Sequence, residues 1–175
     1  MSGSALLHVA NLVSALLPQT RGFGVRRRLY RSAKISVAPG ARINGGVVFQ
    51  YPNVSVGEGT WVGRRSEFAA SPRASITIGA QCDISQDVLF VTGSHETGTA
   101  EKRAGAGTNL PILVGDGCWI GARALILGGT TIGAGSIVAA GAVVRGEFPP
   151  NVLLAGVPAK IIKQLDEGGE VAGSG

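Results

Sequence analysis

The stretch PILVGDGCWIGARALILGGTTIGAGSIVAAGAVVR, from Pro111 to Arg145, repeats every six residues. An aliphatic side chain stands at Val114, Ile120, Ile126, Ile132, Val138 and Val144. Strands repeat on two residues and helices on 3.6, so neither element alone gives this spacing. Six residues fit one flat side plus a corner of a coil, and three such units return the chain to the same face one layer on. The repeat therefore predicts a β-solenoid, whose short sides bury a face only by stacking. Two residues before each aliphatic comes a small one (Cys118, Ala124, Thr130, Ser136, Ala142), with Ile112 the exception. These mark a second, shallower inward position beside a crowded axis.

The same register extends back to residue 35. Val37, Ile43 and Phe49 form one set of three; Val56, Val62 and Phe68 a second; Ile78, Ile84 and Phe90 a third. Val114, Ile120 and Ile126 make the fourth, and Ile132, Val138 and Val144 the fifth. The register slips only between sets, by one residue after Phe49, four after Phe68 and eighteen after Phe90. All insertions thus leave from one corner of a triangle. The expected fold is all-β: about five triangular coils over 35–164, a helical, basic segment over 1–34 and a disordered tail over 165–175.

The composition agrees with one domain of 175 residues whose core is Val, Ile, Leu and Ala, since 45% of residues are hydrophobic but only 5% aromatic. The 28 glycines lack the three-residue period of collagen and suit a fold with frequent corners. Seven basic residues (Arg21, Arg26, Arg27, Arg28, Arg31, Lys34, Arg42) precede the first acid, Glu58, so the net charge of +5 belongs to the N-terminus. The apolar run from Leu6 to Leu17 is about half the ~20 residues that span a bilayer, and Asn11 and Ser14 interrupt it. Its basic cluster follows rather than precedes it, unlike a signal peptide. Two readings stay open: a helix packing on the solenoid or on a neighbouring subunit, and a basic-flanked amphipathic element touching the inner face of a membrane. A nucleic-acid partner is not expected, because no aromatic interleaving or binding motif accompanies Arg26 to Arg31. The reading is of a cytoplasmic protein.

Cys82 and Cys118 occupy the same small inward slot in adjacent coils, so they should lie on neighbouring rungs ~5 Å apart as free, buried thiols. Neither a disulfide framework nor a metal site is expected. The insertion from about Val91 to Thr108 is polar, glycine-rich and too long for a structural turn, as functional loops on rigid scaffolds are. His95 stands near its start; the other histidine, His8, lies outside the solenoid.

Four features together resemble the hexapeptide-repeat acyltransferases, and within them the galactoside, maltose and polysaccharide O-acetyltransferase branch. They are the Ile-Gly-x-x-x-x units, the loop Thr92-Gly93-Ser94-His95-Glu96, the run Gly115-Asp116-Gly117-Cys118-Trp119-Ile120-Gly121, and the closing Pro149-Pro150-Asn151-Val152…Ala155-Gly156-Val157-Pro158-Ala159-Lys160. The resemblance covers about residues 35 to 164. It implies a left-handed parallel β-helix, an exception to the usual crossover hand, and a homotrimer binding acetyl-CoA between two prisms. It implies O-acetylation of a sugar or saccharide-precursor hydroxyl.

By matching positions, His95 corresponds to the general base that takes the proton from the acceptor hydroxyl. Glu96 is a candidate to orient or polarise it, a task a backbone carbonyl performs in many relatives. Trp119 precedes inward Ile120 and so points outward, where relatives line the acceptor pocket. Ala122 falls where a backbone N–H meets the oxyanion. Ala140, Arg145 and Lys160 fall along the CoA groove, although the two cations are equally read as solvated. Arg65 and Arg73 stand where the sugar acetyltransferases carry Asn and Asp. Facing the cleft they would suit an anionic acceptor, such as a phosphate-linked sugar; on an outer wall they would be solvated. Other classes remain as alternatives: an N-acetyltransferase of an amino sugar or antibiotic, and a non-catalytic assembly module. A zinc carbonic anhydrase needs three histidines, whereas the repeat region has only His95.

Overall fold

The structure is a computed structural model, described here for residues 3–166; of the expected tail over 165–175, residues 167–175 lie outside the described region. After helices α1 (Gly3–Leu16) and α2 (Phe23–Ser32), the chain winds through three parallel sheets in turn. The first side holds Ser36–Val37, Val54–Val56, Ile76–Ile78, Ile112–Val114, Thr131–Ile132 and Glu147–Phe148. The second holds Arg42–Ile43, Trp61–Val62, Asp83–Ile84, Trp119–Ile120, Ile137–Val138 and Val152–Gly156, and is extended by the antiparallel return strand Ala159–Gln164. The third holds Val48–Phe49, Glu67–Ala69, Leu89–Val91, Leu125–Leu127 and Val143–Val144.

All fifteen register positions are at most 3% exposed. The glycine after an inward aliphatic follows from the same stacking: a Cβ on Gly121 would lie 2.5 Å from the Ala140 nitrogen in the next coil. Hydroxyls in the small slot are satisfied rung to rung, as buried polar groups must be: Thr60 Oγ1 donates to the Gly79 carbonyl at 2.7 Å and Ser66 Oγ to that of Ser85 at 2.9 Å. The coil continues past the five expected turns. Phe148 pairs with Ile132 and Leu154 with Val138, giving a partial sixth turn. It escapes the six-residue count because Phe148 comes only four positions after Val144, a shortening at the corner that also takes every insertion.

On the third side the rung spacing of about 4.8 Å forces aromatic rings into face-to-face stacks. Phe49, Phe68 and Phe90 lie with centroids 4.8 and 4.9 Å apart and nearly parallel planes. Tyr30 closes the column edge-on at 4.7 Å, its hydroxyl donating to the Val47 carbonyl at 3.0 Å.

The first coil has no preceding rung, so its backbone groups would be an open edge. The helices cover it. Asn11 donates to the Phe49 carbonyl at 2.9 Å and accepts from the Phe49 N–H at 3.3 Å; Arg31 reaches the Val37 carbonyl at 2.6 Å, and the Gly45 N–H donates to Gln19 at 2.8 Å. Asn11, which breaks the apolar run, is thus an edge-pairing residue. The basic stretch forms a second helix because Phe23, Arg26, Tyr30 and Ala33 recur at helical spacing on one face. Arg26 is fully buried, and its guanidinium donates to the carbonyls of Ser14, Leu17, Pro18 and Arg21. It caps the C-terminal end of α1, where orphan carbonyls and the helix dipole favour a cation.

Cys82 and Cys118 are free, buried and stacked on adjacent rungs. Their Sγ atoms lie 3.1 Å from the Gly115 carbonyl and 3.3 Å from that of Gly133. The hydrogen bond shared with Cys82, reinforced by burial, holds the Cys118 thiol proton well above the ordinary thiol range. Because both thiols are buried, both cysteines should resist a bulky thiol reagent in the native protein and react together on unfolding; rapid native labelling would contradict the stacked arrangement. Phe68→Ala, which empties the middle of the aromatic column, should cost about 3–5 kcal/mol in a denaturant titration.

Candidate functional site

Each regular corner turns on a residue in the left-handed region, three positions after the inward aliphatic. At the corner between the second and third sides these are Gly46, Arg65, Asp87, Arg123 and Gly141. Three of the five are not glycine, at a cost of about 1–2 kcal/mol each. Arg65 and Asp87 stack on successive coils and form a bidentate pair, Nε–Oδ1 2.7 Å and Nη2–Oδ2 2.8 Å. The Arg65 hydrogen bonds, with Arg123 and Arg64 nearby, hold the Asp87 carboxyl below the usual carboxylate range. Arg65 is thus an engaged cation within a cluster of three arginines and one carboxylate.

The same corner carries Ala122 and Ala140, on successive coils. Among the described residues no carbonyl accepts the amide N–H of either, whereas the Ala122 carbonyl is taken by Gly141 at 2.9 Å. The amides of Arg64 and Gln86, at the same corner position in the two preceding coils, likewise find no carbonyl acceptor among the described residues. Trp119 stands on the adjoining second side, 53% exposed.

The other expected residues, Lys160 apart, lie across the third side, at the corner from which insertions leave. The insertion expected as a loop over about 91–108 is a two-stranded arm, Gly93–Thr97 paired antiparallel with Ala104–Asn109. His95 is exposed near its base, and its Nδ1 lies 3.1 Å from the Gly105 carbonyl on the opposing strand. Glu96 is exposed beside it, and the position at Nδ1 is held by that carbonyl. Arg73 is exposed in the insertion after Phe68, a turn anchored by Asn53, which donates to the carbonyls of Ser71 and Ala74. Arg145 is exposed at the same corner after Val144, and Lys160 on the return strand. One chain therefore brings Arg65, Ala122, Ala140 and Trp119 together at one edge and His95, Glu96, Arg73 and Arg145 at another, with the third side between them.

A cavity of about 320 Å3 opens on the second side, lined by Asn44, Trp61, Arg64, Asp83, Gln86 and Ala122 among others. Sequence reasoning missed its wall although the register contained the signal. Trp61 precedes Val62 and Asp83 precedes Ile84, as Trp119 precedes Ile120, so all three face outward in one row. Among the described residues no cluster of three or more His, Cys, Asp or Glu could hold a metal ion, and no helix is long and apolar enough to cross a membrane.

Comparison with known proteins agrees with this architecture. The family described as bacterial transferase hexapeptide (six repeats) matches residues 111–146. Escherichia coli WcaF, provisionally named a colanic acid biosynthesis acetyltransferase, is 33% identical over 135 residues, covering 73% of this chain and 71% of that protein. Galactoside O-acetyltransferase of Escherichia coli is 33% identical over 93 residues, 53% of this chain and 46% of its own length. The chain thus spans about half the length of curated relatives of that kind. The crystal structure of a hexapeptide-repeat acetyltransferase from Vibrio cholerae, complexed with acetyl coenzyme A, superimposes with a TM-score of 0.83 at 26% identity, over 95% of this chain and 88% of that one. The fold is the left-handed parallel β-helix that the resemblance implies.

Proposed function

The chain belongs to the hexapeptide-repeat transferases, and on that premise we propose that it is an acetyl-CoA-dependent O-acetyltransferase acting on a sugar-type hydroxyl, with His95 as general base. The contact that carries this reading is His95 Nδ1 to the Gly105 carbonyl, 3.1 Å. A carbonyl only accepts, so Nδ1 bears the proton and Nε2 presents a lone pair. In the proposed reaction Nε2 takes the acceptor's hydroxyl proton while that oxygen bonds to the acetyl carbonyl carbon. The oxyanion is met by the free N–H of Ala122. The C–S bond then breaks, and the imidazolium returns the proton to the CoA thiolate. Gly105 performs the orienting task for which Glu96 was a candidate. Trp119 and Arg65 would face the acceptor with Arg73, and Ala140, Arg145 and Lys160 would follow the CoA.

These groups occupy two edges of one prism, so we assign the site to the cleft between two chains of a homotrimer. The exposed Leu113, Val157, Ile161 and Ile162 support burial between copies. The proposed location is the cytoplasm, with peripheral contact at the inner membrane face. That contact would use the exposed α1 stripe Val9, Leu12 and Leu16 with the basic residues that follow α1 in the sequence.

His95→Ala should lower kcat by roughly 10²–10⁴-fold, the usual worth of a positioned base, with acetyl-CoA affinity nearly unchanged. His8→Ala should leave the rate intact. Near-normal turnover by the His95 variant, assayed as CoA release over a sugar panel that the wild type acetylates, would refute the assignment. Light scattering should give a trimer; a monomer that turned over acetyl-CoA would overturn the shared site.

A further inference from the structure

We infer that the outward face of the second side is an extended saccharide track, so that the acceptor is a chain of sugar rings rather than a single one. This rests on the acetyl-transfer reading for its chemistry and for Trp119 and Ala122, and adds Trp61, Asp83 and Asn44 for its geometry. Trp61, Asp83 and Trp119 pair in register on three successive rungs. With about 4.8 Å per rung, the two indoles stand about 10 Å apart with a carboxylate between them, farther than one sugar ring reaches.

The cavity described above lies along this row, and Ala122 joins it to the proposed acetyl position. Trp61 packs against Phe23 of α2, with ring centroids 5.6 Å apart and planes at 58°. The C–H face of a sugar ring packs on such an indole, as apolar surface does. Asp83 accepts from hydroxyls, while Arg64 and Gln86 donate to them. Asn44 supplies a second, independent sign of a missing partner. It is 1% exposed, its Nδ2 donates to the Val62 carbonyl at 2.7 Å, and among the described residues its Oδ1 has no donor. A buried acceptor left so is costly, and a hydroxyl entering the cavity is the kind of donor it lacks. Asp83 and Arg64 give the cavity one charge of each sign, so ring hydroxyls meet both an acceptor and a donor.

The test uses the full-length protein with two neutral series of one to four hexoses, glucose to maltotetraose and galactose to β-1,4-galactotetraose. Binding is read by calorimetry and transfer by CoA release. Affinity should rise about tenfold or more from the monosaccharide to the trisaccharide in at least one series, the scale of one added aromatic contact. Trp61→Ala should erase that gain and Trp61→Tyr should keep most of it. Asp83→Asn, an exposed change that leaves the core alone, should weaken the trisaccharide about tenfold. Length-independent binding, a gain that survives in Trp61→Ala, or no binding by either series overturns the track. Binding that behaves as expected without any acetyl transfer supports the track and counts instead against the proposed reaction.

Discussion

Everything in this molecule follows from the hydrogen bonds that tie each rung to the next. They hold only if corresponding residues return above one another, so two corners of every turn must have the same length. At both of these corners the backbone passes through a left-handed residue, and Arg65, Asp87 and Arg123 accept that conformation at a cost. The third corner is exempt. There the chain gains one, four or eighteen residues or loses two, and the largest excursion is the arm that bears His95. A scaffold that tolerates irregularity in one place confines its reactive loop to that place.

The same ladder creates two ends that must be closed. At the start the closure is chemical as well as steric: Asn11, Tyr30 and Arg31 occupy donors and acceptors that a preceding coil would have used. Arg26 joins the helices without any carboxylate. Its charge is spread over carbonyls that the end of α1 would otherwise leave empty, so one side chain both neutralises a helix terminus and secures the fold-back. At the far end the return strand Ala159–Gln164 covers the last rung of the second side.

Much of this was legible in the residues, because a period of six is a property of the coil itself. All fifteen inward positions and the stacked cysteines follow from counting alone. What counting missed has identifiable causes. The sixth turn is displaced by a two-residue shortening before Phe148. The second helix hides behind an arginine at an inward position. For the candidate site, the register could have paired Arg65 with Asp87, each three residues past an inward aliphatic, and aligned Trp61 and Asp83 with Trp119. The carbonyl of Gly105 opposite His95 was beyond reach, since it depends on how the arm pairs with itself, and the arm lies outside the repeat.

The helical cap also gives the prism a direction in time. A ribosome delivers α1 and α2 before any rung exists, and the capped surface they form offers the first coil its missing partners. Each later coil needs only its predecessor, as in other quasi-one-dimensional folds, and no stretch must wait for a distant partner. The nascent chain can be wound up as it emerges, with its strand edge presented only at the growing end until the return strand seals it.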